Sequence, residues 1–131
     1  MTKQEHIKYW NSQVDSDFNA AQVLCLAGYY AQSLFWAHLC LEKSLKALWI
    51  TNNLENTPPF VHNLLRIAKE CKANFIDTDY EFFVEMNIFQ IKGRYPHYVE
   101  SIENIITKEV AEEYLFKTKN ILLCIQKKMQ L

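Results

Sequence analysis

Glycine and proline are scarce in this chain: two glycines and three prolines in 131 residues. With so few residues able to make tight turns, and almost no apolar–polar alternation, a fold of many short strands is excluded, and few turns with long helices are expected. No apolar run approaches the roughly 18 residues that a membrane-spanning helix needs. The start, Met1-Thr2-Lys3-Gln4-Glu5-His6, has no apolar signal core, so a cytoplasmic location is expected. Charge of one sign is also missing, since 14 Lys+Arg face 15 Asp+Glu and leave a formal net charge of -1. Such a chain has no global field to gather a polyanion, and any phosphate contact must be local. The four cysteines, Cys25, Cys40, Cys71 and Cys124, form no CxxC pair and have no histidine at zinc-finger spacing. Each sits inside an apolar helical pattern, which points to buried, reduced thiols rather than a metal site or a disulfide framework. Neither a metal nor a cofactor is expected.

What the chain does have is apolar residues, 50% of the total, enough to build one continuous core in a single domain spanning 1–131. Thr2 and Glu5 have capping-box spacing and open a first helix over about 4–27, where Ile7, Trp10, Val14, Phe18, Ala21 and Leu24 recur and Gly28 stops it. A second helix spans about 30–52, with Leu34, Leu41, Leu45 and Leu48 inward, and ends where Asn52-Asn53 and Pro58-Pro59 break the pattern. His62 or Asn63 starts a third, short helix that fades near Lys72-Ala73-Asn74. Thr78 and Glu81, again at capping-box spacing, start a fourth that ends near Lys92-Gly93. From about Thr107 a last helix carries Val110, Tyr114, Thr118, Ile121, Ile125 and Met129, with Glu113 and Lys117 as an exposed i,i+4 pair. The economical assembly is all-α, an antiparallel up-and-down bundle of four to five helices.

Two segments look suited to contact a ligand. In Ala37-His38-Leu39-Cys40-Leu41-Glu42-Lys43-Ser44-Leu45-Lys46-Ala47-Leu48, the residues His38, Glu42 and Lys46 stand at i, i+4 and i+8 and form one polar column. Gly93-Arg94-Tyr95-Pro96-His97-Tyr98 gathers a guanidinium, two phenols and an imidazole around a proline that ends helical hydrogen bonding. If the bundle brings these segments to one end, Lys46 and Arg94 share a cavity.

Trp10 and Asp17, Gly28-Tyr29-Tyr30, the segment from Ala37 to Leu48, Pro58-Pro59, His62-Asn63-Leu64-Leu65 and Arg94-Tyr95-Pro96 occur in an order and spacing that resemble the HEPN domain, the "higher eukaryotes and prokaryotes nucleotide-binding" family. The likeness covers roughly 8 to 128. It implies a helical bundle, frequent homodimerisation, association with nucleotides or RNA, and often a small nucleotidyltransferase partner, as in toxin–antitoxin pairs and stress or defence systems. Many members are ribonucleases carrying an Arg separated from a His by four to six residues. This chain departs from that pattern: Arg94 and His97 have two residues between them, and Arg66 has no suitably placed histidine. The Arg-Tyr-Pro form of the family, without demonstrated cleavage chemistry, matches better.

The resemblance and the spacing together nominate Arg94, Tyr95, Tyr98, Lys46, Glu42, Lys43 and His38 as ligand-binding residues. Arg94 would grip a phosphate bidentately while a tyrosine stacks or donates. A homodimer, a nucleotidyltransferase partner and a nucleotide or RNA ligand are expected, with no membrane association and no DNA-specific motif. The alternative reading is a metal-independent endoribonuclease using Arg94 and His97 as the catalytic pair, and another is a protein-interaction adaptor. Structural explanations compete at each position. Arg94 can cap a helix end, His97 can be an exposed or locally bonded histidine, and Glu42 and Lys46 can be a surface ion pair. His38 can be a satisfied histidine at the core edge, and His62 a loop anchor. Trp36, Phe82, Phe83 and Phe89 are either a spare self-association face or ordinary core.

Overall fold

The computed structural model describes residues 1–92 and 105–129. Five helices are found there: α1 Lys3–Leu26, α2 Tyr30–Asn52, α3 Leu64–Glu70, α4 Asp77–Lys92 and α5 Lys108–Met129. The all-α expectation holds, and the four long helices alternate in direction, with α3 as a short insert between α2 and α4.

Side-chain contacts fix those directions. Lys3 at the start of α1 donates from Nζ to the carbonyls of Ile50 (2.7 Å) and Asn53 (2.5 Å), capping the far end of α2. At the other end, Ser33 Oγ donates to Ala21 O at 2.6 Å. Lys128 Nζ donates to Asn74 O at 2.6 Å and sets the end of α5 beside the approach to α4. The turn between α1 and α2 is a Schellman motif: Tyr29 N–H bonds Leu24 O (2.8 Å) and Gly28 N–H bonds Cys25 O (3.1 Å). Gly28 has φ +90°, the left-handed conformation that the motif requires and that a side chain disfavours. At the start of α1, the box between Thr2 and Glu5 is fully formed.

Helix α2 is the central rod. From Ala37 to Ile50 it is buried on nearly every side, and it packs against each of the other four helices. Small residues on it let neighbouring backbones come close: besides Ser33 on Ala21, Cys40 Sγ lies 3.6 Å from Val14 O. Its leucines Leu34, Leu41, Leu45 and Leu48 are fully buried, as their spacing predicts.

Two details differ from the sequence expectation, and one open alternative is decided. Helix α4 begins at Asp77, so Thr78 lies within its first turn and cannot be its cap; Asp77 and Asp79 there complement the helix dipole. On α5 the buried stripe is Ala111, Leu115, Thr118, Ile121, Leu122 and Ile125, rotated so that Val110 and Tyr114 lie at its edge. Phe82, Phe83 and Phe89 are buried and Trp36 partly so, which removes the spare aromatic face. Tyr114 accounts for two of those rings, meeting Phe82 edge-on at 5.6 Å and Phe89 at 6.2 Å.

The cysteines are free thiols, Cys25, Cys40 and Cys71 buried and Cys124 partly exposed. Burial holds the Cys40 thiol far above the usual range, and burial followed by the Glu70 charge pushes Cys71 up to about 12. A maleimide near neutral pH is therefore expected to modify Cys124 in the folded protein and to reach Cys40 and Cys71 only in denaturant. Mass spectrometry after timed quenching reads this, and equal labelling of Cys40 and Cys124 in the native state would contradict it.

Candidate functional site

The polar column of α2 is buried. His38 is wholly buried, Glu42 and Lys46 almost so, and the surface ion pair is thereby overturned. The cause is nonlocal: α1 and the loop before α3 cover the face that carries the column. Lys46 Nζ donates to Glu42 Oε2 at 3.1 Å and stands 5.3 Å from the centre of the Trp10 ring, in a cation–π arrangement. The other carboxylate oxygen, Glu42 Oε1, lies 2.9 Å from His62 Nδ1 and 4.0 Å from His38 Nδ1. His38 is therefore a core residue, not an edge one.

His62 is what the column's spacing could not reveal. It does anchor the loop, but its anchor is Glu42, twenty positions earlier in the chain. Its side chain is 46% exposed, so the buried carboxylate communicates with solvent through this ring. The next residue, Asn63, caps α3 through its side-chain oxygen, which accepts from Arg66 N–H at 3.2 Å and from Asn87 Nδ2 at 3.0 Å. Asn87 Oδ1 in turn accepts Leu64 N–H at 2.7 Å, pinning α4 to the start of α3. The loop, α3 and α4 are thus tied together beside Glu42.

Lys43 leaves α2 about 100° away from Glu42. Its Nζ is held by Asp17 Oδ2 at 2.5 Å and Gln13 Oε1 at 2.7 Å, both on α1. Its charge is balanced there, and its role is to join the two longest helices. Arg94, Tyr95, His97 and Tyr98 lie outside the described residues, as does the shared cavity expected for Lys46 and Arg94.

Lys46 has a second neighbourhood. A pocket of about 200 Å³ opens between the first turns of α1 and the chain before α3, lined by His6, Tyr9, Trp10, Lys46, Pro58 and Phe60 among others. Among the described residues no carboxylate lines it. Among the described residues no group of three or more His, Cys, Asp or Glu is placed to hold a metal ion, and no helix is long and apolar enough to cross a membrane.

The HEPN domain family model matches residues 7–128. The chain belongs to the HEPN family, a helical-bundle class of nucleotide- and RNA-related modules. No curated protein and no solved structure matches it. The residues that carried the resemblance now have physical roles. Trp10 shields Lys46, Asp17 holds Lys43, Gly28 makes the Schellman turn, and His62-Asn63 joins Glu42 to α3.

Proposed function

We propose that this protein is a non-catalytic HEPN module that binds the phosphate of a nucleotide or RNA, acts as a cytoplasmic homodimer, and works with a small nucleotidyltransferase partner in a toxin–antitoxin-like or stress and defence setting. The observation that carries the reading is the buried Lys46–Glu42 pair, with the half-exposed His62 bonded to its carboxylate. Burying a charged pair is costly and often less favourable than an apolar core, so its presence at the wall of an open pocket suits binding better than stability. Family membership supports the nucleotide class of ligand. Arg94 then supplies the phosphate contact, with Tyr95 or Tyr98 beside it, and Lys46 adds a second cation held in place by Glu42.

Isothermal titration with a panel of nucleoside mono-, di- and triphosphates tests the reading. Wild type is expected to give heat, Arg94→Ala a weaker response, and added salt a further loss, as a phosphate contact requires. Silence from both proteins across the panel would refute it.

One observation favours the endoribonuclease alternative: the imidazole–carboxylate pair of His62 and Glu42 resembles a base with its orienting partner. That reading expects single-stranded RNA to be degraded in EDTA, with loss of the activity in His97→Ala or His62→Ala. Intact RNA after long incubation eliminates it.

A further inference from the structure

We infer that the pocket between the start of α1 and the loop preceding α3 is a nucleobase site, taking one unpaired base edge-on to Lys46 and stacked among Tyr9, Trp10 and Phe60. The inference rests on the nucleotide reading above and specifies which part of the ligand is bound where.

The wall chemistry carries it. Phe60 is 91% exposed, although it stands beside a pocket that its ring could help to fill. An isolated phenyl ring held in solvent contributes nothing to the core, whereas at a pocket rim it offers a face on which a planar ring can stack. Tyr9 is 47% exposed and meets Trp10 edge-to-face at 5.4 Å, so the two rings are not stacked on each other; with Lys46 Nζ standing over the Trp10 ring, the exposed faces of Tyr9 and Phe60 offer the stacking surface for a base. Pro58 stiffens the opposite wall.

Size limits the occupant. At about 200 Å³ the space is below the range usual for whole drug-sized ligands and suits a single ring system. Polarity then narrows the class. Lys46 Nζ carries three N–H groups, and one is directed to Glu42 Oε2, so an ammonium held at the pocket wall can donate to a carbonyl or ring nitrogen on a base edge. A purely apolar ring would leave that donor unmatched. Among the described residues no carboxylate lines the pocket, and Glu42, just behind Lys46, is paired with its ammonium, which limits repulsion of the phosphate that accompanies the base. Stacking on aromatic faces is tolerant of base identity, so modest preference among bases is expected.

The base can come from a free nucleotide or from single-stranded RNA, and one experiment separates these. Equilibrium binding is measured for AMP, for a short single-stranded oligoadenylate, and for ribose 5-phosphate as the form lacking a base. The proteins are wild type, Phe60→Ala, Tyr9→Ala and, as control, Phe116→Ala, an exposed aromatic on α5 outside this pocket. Circular dichroism confirms that each variant is folded.

Wild type is expected to prefer base-bearing ligands over ribose 5-phosphate. Phe60→Ala and Tyr9→Ala should each weaken base-bearing ligands by about 5- to 100-fold while leaving ribose 5-phosphate unchanged. Phe116→Ala should match wild type. Binding of both AMP and the oligomer assigns the site to free nucleotide, and binding of the oligomer alone assigns it to RNA. If wild type binds nucleotide but no better than ribose 5-phosphate, or if neither aromatic variant changes the affinity, the base site is wrong while the phosphate-binding reading stands. No binding of any ligand removes both.

Discussion

Replacing Glu42 with alanine is expected to destabilise the protein by about 3–5 kcal/mol, measured by chemical denaturation followed by circular dichroism. The loss comes from what the substitution leaves behind. Lys46, with its side chain 7% exposed, is left buried without the carboxylate 3.1 Å away, and His62 loses the acceptor that holds its loop. Had this been a surface i,i+4 pair, as its spacing alone permits, the loss would be under about 1 kcal/mol. The two outcomes are well separated. The double variant Glu42→Leu/Lys46→Met is expected to recover most of the stability, because an apolar pair of similar volume carries no desolvation cost. Its ligand binding should nonetheless be lost. Stability restored without binding is the signature of a group kept for contact rather than for the fold.

Phe83→Ala is expected to cost a similar amount, about 3–5 kcal/mol, for a different reason. Phe83 is fully buried on α4, with Phe75 meeting it edge-on at 5.4 Å and Tyr80 at 6.5 Å. Truncation leaves a cavity whose wall of rings cannot collapse, since Phe75 and Tyr80 are fixed by each other at 5.8 Å. The adjacent residue gives the control. Val84 is 52% exposed, and Val84→Ala should stay within about 0.5 kcal/mol of wild type. Comparable losses at both positions would show that α4 is not seated as described.

The helices were legible because their signals are local. Thr2 with Glu5, Gly28, and the leucines of α2 each act within a turn or two, and each is found as expected. Thr78 shows the limit of such signals: its spacing to Glu81 fits a capping box, but the helix begins at Asp77, with the Ile76 carbonyl accepting from the Asp79 and Tyr80 N–H groups, two positions before the expected cap. The candidate site was less legible because burial is decided by partners far along the chain. The spacing of His38, Glu42 and Lys46 is the same whether the column faces water or α1. What buried it was Trp10 and the loop carrying His62, and no local pattern links those residues to Glu42. The same holds for Lys3, which caps α2 from fifty positions away, and for Asp17, which takes Lys43 out of the group it was expected to join.

From the sequence alone the aromatic set stays open between a self-association face and ordinary core for a related reason. Counting rings against one face per helix assumes that each helix has only one buried side, whereas α4 packs against α2 and α3 and shares ring contacts with α5. Phe82 and Phe83 point in different directions and are both covered. An aromatic residue that is surplus in this protein is Phe60, which lies in a loop where helical periodicity carries no information.

The most direct test of the account is a two-dimensional NMR titration of the protein with AMP and with oligoadenylate, following the Trp10 indole N–H, the His62 ring and the backbone amides. The Trp10 and His62 signals are expected to move together and saturate with the same affinity, while amides around Phe116 on α5 stay in place. Saturable binding that shifts only resonances distant from Trp10 and His62 would contradict it.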